Sequence, residues 1–378
     1  MIRRKGQCFL SPGNREDDHW IAVVNPGSTS TKAALYKGAR CVVERSVFHP
    51  IEVLRQKIPE QAGDRRAVLT ELFAEAGVTP EHLSAIAARG GRLRPVRGGV
   101  YAVNQEMILD TLAPQASQHA SALAVLIGIE LSRSSGCPVY VVDPISVDEM
   151  LPIARLSGTP LILRSSLGHA LNTREVCRRV AFTLGHSYEE LNLVVAHLGG
   201  GTTVSAHKKG RMVDLINDFE GGFTPERSGG VPVNQLIELC FSGEFSEEEL
   251  QKKIEGEGGF YAYLGTKNAE EAIKRAQSGD PFAFNILAAY LLQLGKSIAA
   301  MLSVLDFHAD ALCITGGMAH SSFIVNHLRE KFVTMLPFYV YPGSFEMEAL
   351  AAQVLAVLKG EKCALSYPDG EELRRTSK

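Results

Sequence analysis

The chain has no CxxC pair. Its 7 cysteines are scattered as Cys8, Cys41, Cys137, Cys177, Cys240, Cys313 and Cys363, which argues against a zinc knuckle or a disulfide framework and fits a reducing cytosol. It has no excess of charge of one sign: 39 Lys and Arg stand against 42 Asp and Glu, a net charge of -3. Nothing of that size draws it to nucleic acid or to an anionic bilayer in general. No uninterrupted apolar run is long enough to span a membrane, and no basic start, apolar core and cleavage site occur together. The P-loop pattern GxxxxGK[ST] is also missing. These absences predict a cytoplasmic protein with neither a nucleic-acid nor a membrane partner.

What is present is organised around Ile21 to Tyr36, which reads IAVVNPGSTSTKAALY. Two apolar runs flank Asn25, Pro26, Gly27, Ser28, Thr29, Ser30, Thr31 and Lys32. The pattern predicts a β-hairpin whose loop is crowded with small hydroxyl residues. Short side chains leave backbone N–H groups open to an anion, Asn25 can donate to a phosphoryl oxygen, and Lys32 adds charge. The same residues also suit an ordinary polar turn. A second hairpin begins at Leu193: LVVAHLGGGTTVSAHKKGRMVD carries the turn Gly199-Gly200-Gly201, which allows backbone to approach a phosphate chain closely. The two hairpins almost halve the chain and predict an internal duplication. Two such halves facing each other would set two phosphate-binding turns across a cleft.

The 378 residues suit two α/β domains. The expected boundaries are a polar extension over 1–20, a first domain over 21–190, a second over 191–360, whose last helix could pack back on the first, and a mobile polar tail over 361–378. Helical patterns cover 65–76, 104–112, 121–132, 174–184, 246–254, 269–278, 281–305, 321–331 and 347–358. Strands are expected at 41–48, 83–88, 139–142, 311–315 and 338–341. Ser246 and Glu249 form a capping-box pair. Ile286, Tyr290, Leu294, Ile298, Met301 and Leu305 make one core stripe. Residues 256–265 read as a glycine-rich bend.

Between these elements lie the chemistry-bearing residues. Arg89 to Gly99 holds four Arg and four Gly, a loop that receives anions or is merely solvated. Asp143 ends a buried strand, the place where open α/β sheets carry ligand chemistry, and it is a candidate Mg²⁺ carboxylate or a turn starter. Arg164, His169 and Asn172 share a face if 161–172 is a helix. Arg227, in a Gly-rich setting, has the fork geometry of a phosphoryl clamp. Strand 311–315, then Gly316-Gly317 and a helix, reads as a nucleotide cradle.

The order of these motifs resembles the butyrate kinases, within the acetate and propionate kinase group of the acetokinase family. The resemblance covers about 21–361 and rests on VVNPGSTSTK at 23–32, ARGG at 88–91, VDPISVDE at 142–149, SLGHALNTR at 166–174, VAHLGGG at 195–201, FTPERSG at 223–229, AYLGT at 262–266, ITGG at 314–317 and VYPG at 340–343. It implies duplicated ribonuclease-H-like, actin-like ATPase domains with an interdomain cleft, ATP/ADP and Mg²⁺ as cofactors, and a homo-oligomer, at least a dimer. It implies ATP-dependent phosphorylation of a small carboxylic acid, butyrate first, with acetate, propionate or isobutyrate as alternatives. A nucleotide-binding regulator without turnover is the alternative of another class. By the same resemblance Asn25, Asp143, His169 and Arg227 are catalytic, and Arg89, Gly90 and Gly91 bind the carboxylate. Ser28, Ser30, Lys32, His197, Gly199, Gly200, Gly201, Gly316 and Gly317 hold nucleotide, and Asp143 with Glu346 (or its neighbour Glu348) holds the metal. The acetate-kinase motif VVHGG has a His that ARGG lacks, and Ser344 replaces the Glu of a PGE motif.

Overall fold

The computed structural model describes residues 17–113 and 120–368. Most of the 1–20 extension, and the tail from 369, lie outside the described residues. The strands are β1 (Trp20–Pro26), β2 (Ser30–Lys37), β3 (Arg40–Phe48), β4 (Leu83–Ala88), β5 (Val100–Ala102), β6 (Val139–Val142), β7 (Asn192–Leu198), β8 (Thr202–Lys208), β9 (Arg211–Ile216), β10 (Ala311–Gly316) and β11 (Phe338–Pro342). The helices are α1 (Ile51–Leu54), α2 (Ala62–Ala76), α3 (Gln105–Leu112), α4 (Ala122–Ser135), α5 (Ala170–Leu184), α6 (Val233–Phe241), α7 (Glu247–Glu255), α8 (Gly259–Leu264), α9 (Ala269–Gln277), α10 (Pro281–Val304), α11 (Ser322–Phe332) and α12 (Glu346–Leu358).

Internal contacts divide the chain into one unit of Met1–Asp148 with Phe345–Lys378 and another of Glu149–Ser344. The boundary drawn at 190/191 from the sequence is therefore displaced. Helix α5 packs on β7 and β10, and α12 packs on β1 and β4, so each helix groups with the sheet that buries its apolar side rather than with its chain neighbours.

The first unit is built on a sheet of order β3-β2-β1-β4-β6-β5. Strands β1, β2 and β3 form an antiparallel meander, β4 runs parallel to β1, and β6 parallel to β4. Ile21, Ala22, Val23 and Val24 are fully buried, as a central strand covered on both faces requires. Val68, Leu69, Leu72 and Phe73 of α2 and Leu123, Val125 and Ile127 of α4 complete this core.

The second unit repeats the scheme with order β9-β8-β7-β10-β11, a meander followed by two parallel strands. The expected duplication is thus visible as topology. Helix α10 starts at Pro281 behind Asp280, whose carboxylate accepts the Phe282 and Ala283 N–H groups, an N-cap with proline at N1. Its Tyr290, Leu294, Ile298 and Met301 are buried, as is Leu305 just beyond it. It has the length and apolar composition to cross a bilayer, but half of the relevant window is buried inside the unit.

Three local expectations change, and one helix is added. Residues 161–169 are not helical; the Leu156–Leu163 bridge and Arg164, held by the Ala154 and Leu215 carbonyls, keep them irregular until α5 begins. The bend at 256–265 contains α8, which buries Phe260 and Leu264. Helix α6 follows Pro232 in a stretch to which the sequence pattern assigns no element. The tail is anchored as far as it is described: Leu365 bridges Tyr101, and the buried Tyr367 hydroxyl donates to Asp110 at 2.6 Å and accepts the Arg94 N–H at 3.0 Å. Two apolar side chains in a polar segment suffice to fix it.

Candidate active site

In the first unit the carboxyl ends of two adjacent parallel strands carry the polar residues. Val24 pairs with Ala88, so Asn25 and Arg89 follow side by side, and Arg89 N–H continues the ladder to Val24 O at 3.1 Å. Glu346 begins α12, where the helix dipole favours a carboxylate. Asn25 Nδ2 donates to Glu346 Oε2 at 2.8 Å, Arg89 Nη1 donates to Asn25 Oδ1 at 3.3 Å, and Arg89 Nη2 lies 3.2 Å from Glu346 Oε1. Asn25 and Glu346 are buried, and Glu348 is half-buried outside this triangle. Lys32 is the cross-strand partner of Asn25 and so lies on the same face of the sheet; Ser28 is exposed at the turn and Ser30 half-buried.

Asp143 closes β6 with φ at 37°, a strained conformation for a non-glycine residue. Its Oδ1 accepts the Gly99 N–H at 2.8 Å, and its own N–H donates to Gly99 O at 2.9 Å. Gly90 has a packing reason of its own: a Cβ there would lie 2.4 Å from Val141 Cγ1 and 2.7 Å from Pro144 Cβ. Gly90 lets the Arg89 loop press against the strand that ends at Asp143, and Gly91 lets it approach the start of α4 at Ser121 and Ala122.

In the second unit His169 and His197 stack with ring centroids 3.9 Å apart and planes 10° from parallel. His169 Nδ1 is 2.9 Å from Thr203 Oγ1, and His197 Nδ1 is 2.9 Å from Asn172 Nδ2, which also donates to Thr315 Oγ1 at 3.2 Å. Arg164 is drawn away from this group into ion pairs with Asp214 and Glu220, both at 3.0 Å.

The triple-glycine turn is tied to Arg227 through the Thr224 and Asp218 side chains. Thr224 Oγ1 donates to Gly200 O at 2.5 Å and accepts the Arg227 N–H at 3.1 Å. Asp218 accepts the Thr202 N–H on Oδ1 and sets Oδ2 3.3 Å from Arg227 Nε. Arg227 Nη1 also donates to Glu255 O at 3.1 Å, and its guanidinium lies 5.6 Å from the Phe219 ring centre. Burial raises the Asp218 pKa, with Arg227 and the Thr202 N–H pulling the other way.

Gly316 closes β10 at φ 91°, and a Cβ there would lie 2.2 Å from Leu198 O, so only glycine fits between the two strand ends. Gly199, Gly200 and Gly317 line one cleft of about 610 Å³ with Lys267, Asn268 and Ser321, within the range of small-molecule sites. Thr203, Asp218, Thr224, Lys267 and Asn268 adjoin the candidate site and were not named for it from the sequence. Asn268 had a usable signal, since it caps α9 ahead of two glutamates.

The fold is shared with solved structures. Acetate kinase from Porphyromonas gingivalis superposes with TM-score 0.75 at 17% identity, covering 90% of this chain and 100% of that one. A propionate kinase from Francisella tularensis subsp. tularensis SCHU S4 gives 0.71 at 18%, covering 89% and 98%. Acetate kinase from Entamoeba histolytica gives 0.69 at 14%, covering 90% and 98%. Residues 162–370 match the Acetokinase family, which is more than half of the 378-residue chain. The chain therefore belongs to the acetokinase family and is an ATP-dependent kinase of short-chain carboxylates.

Proposed function

We propose that the protein is a butyrate kinase, transferring the γ-phosphoryl group of ATP reversibly to butyrate or a branched relative such as isobutyrate. The observation that carries the chemistry is the Asn25–Arg89–Glu346 triangle, an amide and a guanidinium fixed around a carboxylate at two strand ends. A substrate carboxylate is already a charged nucleophile, so catalysis needs alignment and charge neutralisation more than a general base. In the first unit Arg89, with its loop opened by Gly90 and Gly91, receives the carboxylate, and Asn25 donates to the phosphoryl group. In the second unit, Arg227 and His169 offer donors to a phosphate. The cleft at Gly199, Gly200 and Gly317 receives nucleotide.

Asp143 and Glu346 are hard oxygen donors of the kind Mg²⁺ takes, one or two carboxylates being completed by phosphate and water. Among the described residues no cluster of three or more His, Cys, Asp or Glu forms a metal cage, so the fit is to a shared, substrate-completed ion. When bound, Mg²⁺ would neutralise charge on the phosphate oxygens. A homo-oligomer of at least two chains goes with this reading. Its support is α6, which buries none of its residues and exposes Val233, Ile237 and Phe241.

The preference for butyrate rests on the motif resemblance. An apolar pocket gains about 0.8 kcal/mol per buried CH₂, roughly fourfold per carbon. An acyl-hydroxamate assay with ATP and acetate, propionate, butyrate and isobutyrate tests it, and kcat/KM should peak at the four-carbon acids. A higher value for acetate than for butyrate makes the enzyme an acetate kinase instead.

A further inference from the structure

Arg65, on the first turn of α2, is 1% exposed, yet none of its partners is an acid. Its Nε and Nη2 donate to Gln61 Oε1 at 3.0 and 2.7 Å. Nη1 donates to Gly27 O at 2.7 Å and Ser30 O at 3.3 Å, and Nη2 to Ser28 O at 3.1 Å. Nη1 also lies 3.5 Å from Thr31 Oγ1. Among the described residues no carboxylate comes within ion-pair distance. Asp64, its chain neighbour, reaches Gln56 instead. Burial pulls the Arg65 pKa down, and the nearby His49 is held low by burial first and by the Arg65 charge second. An uncompensated buried guanidinium is costly, and this one is spent on the backbone of a single turn.

The carbonyl directions decide what that turn presents. A trans peptide points its C=O and N–H in opposite directions. With the Gly27 and Ser28 carbonyls turned in to Arg65, the Ser28 and Thr29 N–H groups point out at the exposed tip. Neither donates to a backbone carbonyl among the described residues, and the Thr29 carbonyl is taken by the His49 N–H at 3.0 Å. Two successive outward N–H groups form a concavity for an anion, here backed by a full positive charge.

We propose that Arg65 is the positioning residue of an oxyanion turn at Gly27–Ser30: it fixes the carbonyls inward, aims the Ser28 and Thr29 N–H groups at a phosphate, and leaves its own charge unneutralised behind them. Gln61 is part of the device, since a neutral amide accepts two of the guanidinium bonds without cancelling the charge. The inference deepens the proposed kinase reading, on which only its catalytic consequence rests.

Gln61→Glu separates charge from structure. It keeps both acceptor bonds to Arg65 and neutralises the guanidinium, and it replaces the Nε2 donor to Gln56 O with a carboxylate oxygen that must turn from that carbonyl. Calorimetric titration of the full chain with tripolyphosphate should show affinity reduced about tenfold in Gln61→Glu and in Arg65→Met. Ser28→Glu, which puts an acid at the tip, should lose binding to a similar degree and so place the probe at this turn. Tripolyphosphate affinity within about twofold of the parent in Gln61→Glu, or in Ser28→Glu, overturns the proposal. If Arg65→Met does not fold, Gln61→Glu carries the test alone. In acyl phosphate formation kcat should fall by about tenfold or more in Gln61→Glu, with KM for the carboxylate unchanged. Loss of polyphosphate binding in the variants of a parent that forms no acyl phosphate would leave the oxyanion turn standing and remove the kinase reading. An active parent whose variants bind as tightly would do the reverse.

Discussion

Asp218 stands between the glycine turn and Arg227: one carboxylate oxygen accepts the Thr202 N–H, and the other lies 3.3 Å from Arg227 Nε. The position of the guanidinium is thereby tied to the turn that follows β7. The Thr224 hydroxyl makes the same link again, donating to Gly200 O and accepting the Arg227 N–H. Asp218, the glycine turn and Arg227 form one connected group inside the second unit.

Arg227→Ala is expected to cut kcat by about 10²–10³, roughly 3–4 kcal/mol on the scale of lost oxyanion donors, with KM for ATP little changed. Arg227→Lys should recover part of it, since the charge returns without the fork. Asp218→Asn should lower kcat less, and a double-mutant cycle with Arg227→Ala should show strong non-additivity because the residues touch. A purely structural ion pair predicts instead a lower urea midpoint with kcat within about threefold of the parent; measuring both on one preparation decides.

The raised pKa of Asp218, caused chiefly by burial, fixes the sign of a pH effect. The folded state binds this proton more tightly than the unfolded one, so the contribution is complete below the ordinary Asp range. It is lost as pH rises through the folded value. Asp218→Asn should flatten the fall in stability over that interval, measured as urea midpoint against pH. An unchanged slope would show that burial does not tune this carboxylate.

Glu346→Ala removes a carboxylate held by Asn25 and Arg89 and leaves two inward donors. A loss of about 1–3 kcal/mol of stability is expected. Glu346→Gln should keep most of the stability yet raise the Mg²⁺ concentration needed for half-maximal rate, and the parent should lose activity in excess chelator. Full activity of the parent in chelator would end the metal assignment.

Gly316 and Gly317 should respond oppositely to alanine. At Gly316 the left-handed backbone and the 2.2 Å approach to Leu198 O predict a loss of about 2–4 kcal/mol. At Gly317 an added Cβ would meet nothing within 4 Å, so stability should hold to within about 0.5 kcal/mol. Any defect of Gly317→Ala should appear in KM for ATP. Thermal unfolding and ATP kinetics on both variants check the contrast.

The sequence by itself determined the elements whose cause is local. Apolar runs around hydroxyl or glycine turns made both hairpins legible, and the Ser246 and Asp280 caps and the α10 stripe follow from short-range rules. The order of the motifs was enough to indicate the acetokinase family. Asn25, Asp143, His169, Arg227 and Glu346 were named from that order; the structure joins Asn25, Arg89 and Glu346, and separately stacks His169 on His197. Only the tertiary structure decided what long-range contacts create. Arg65 looked like any helix surface charge until a turn 38 residues away put its carbonyl against it, and Asp218 became a tether because β8 starts beside it. Leu365 and Tyr367 sat in a segment too polar to suggest anchoring. Such pairings depend on which surfaces meet when sheets bury their faces, and no residue's immediate neighbours carry that information.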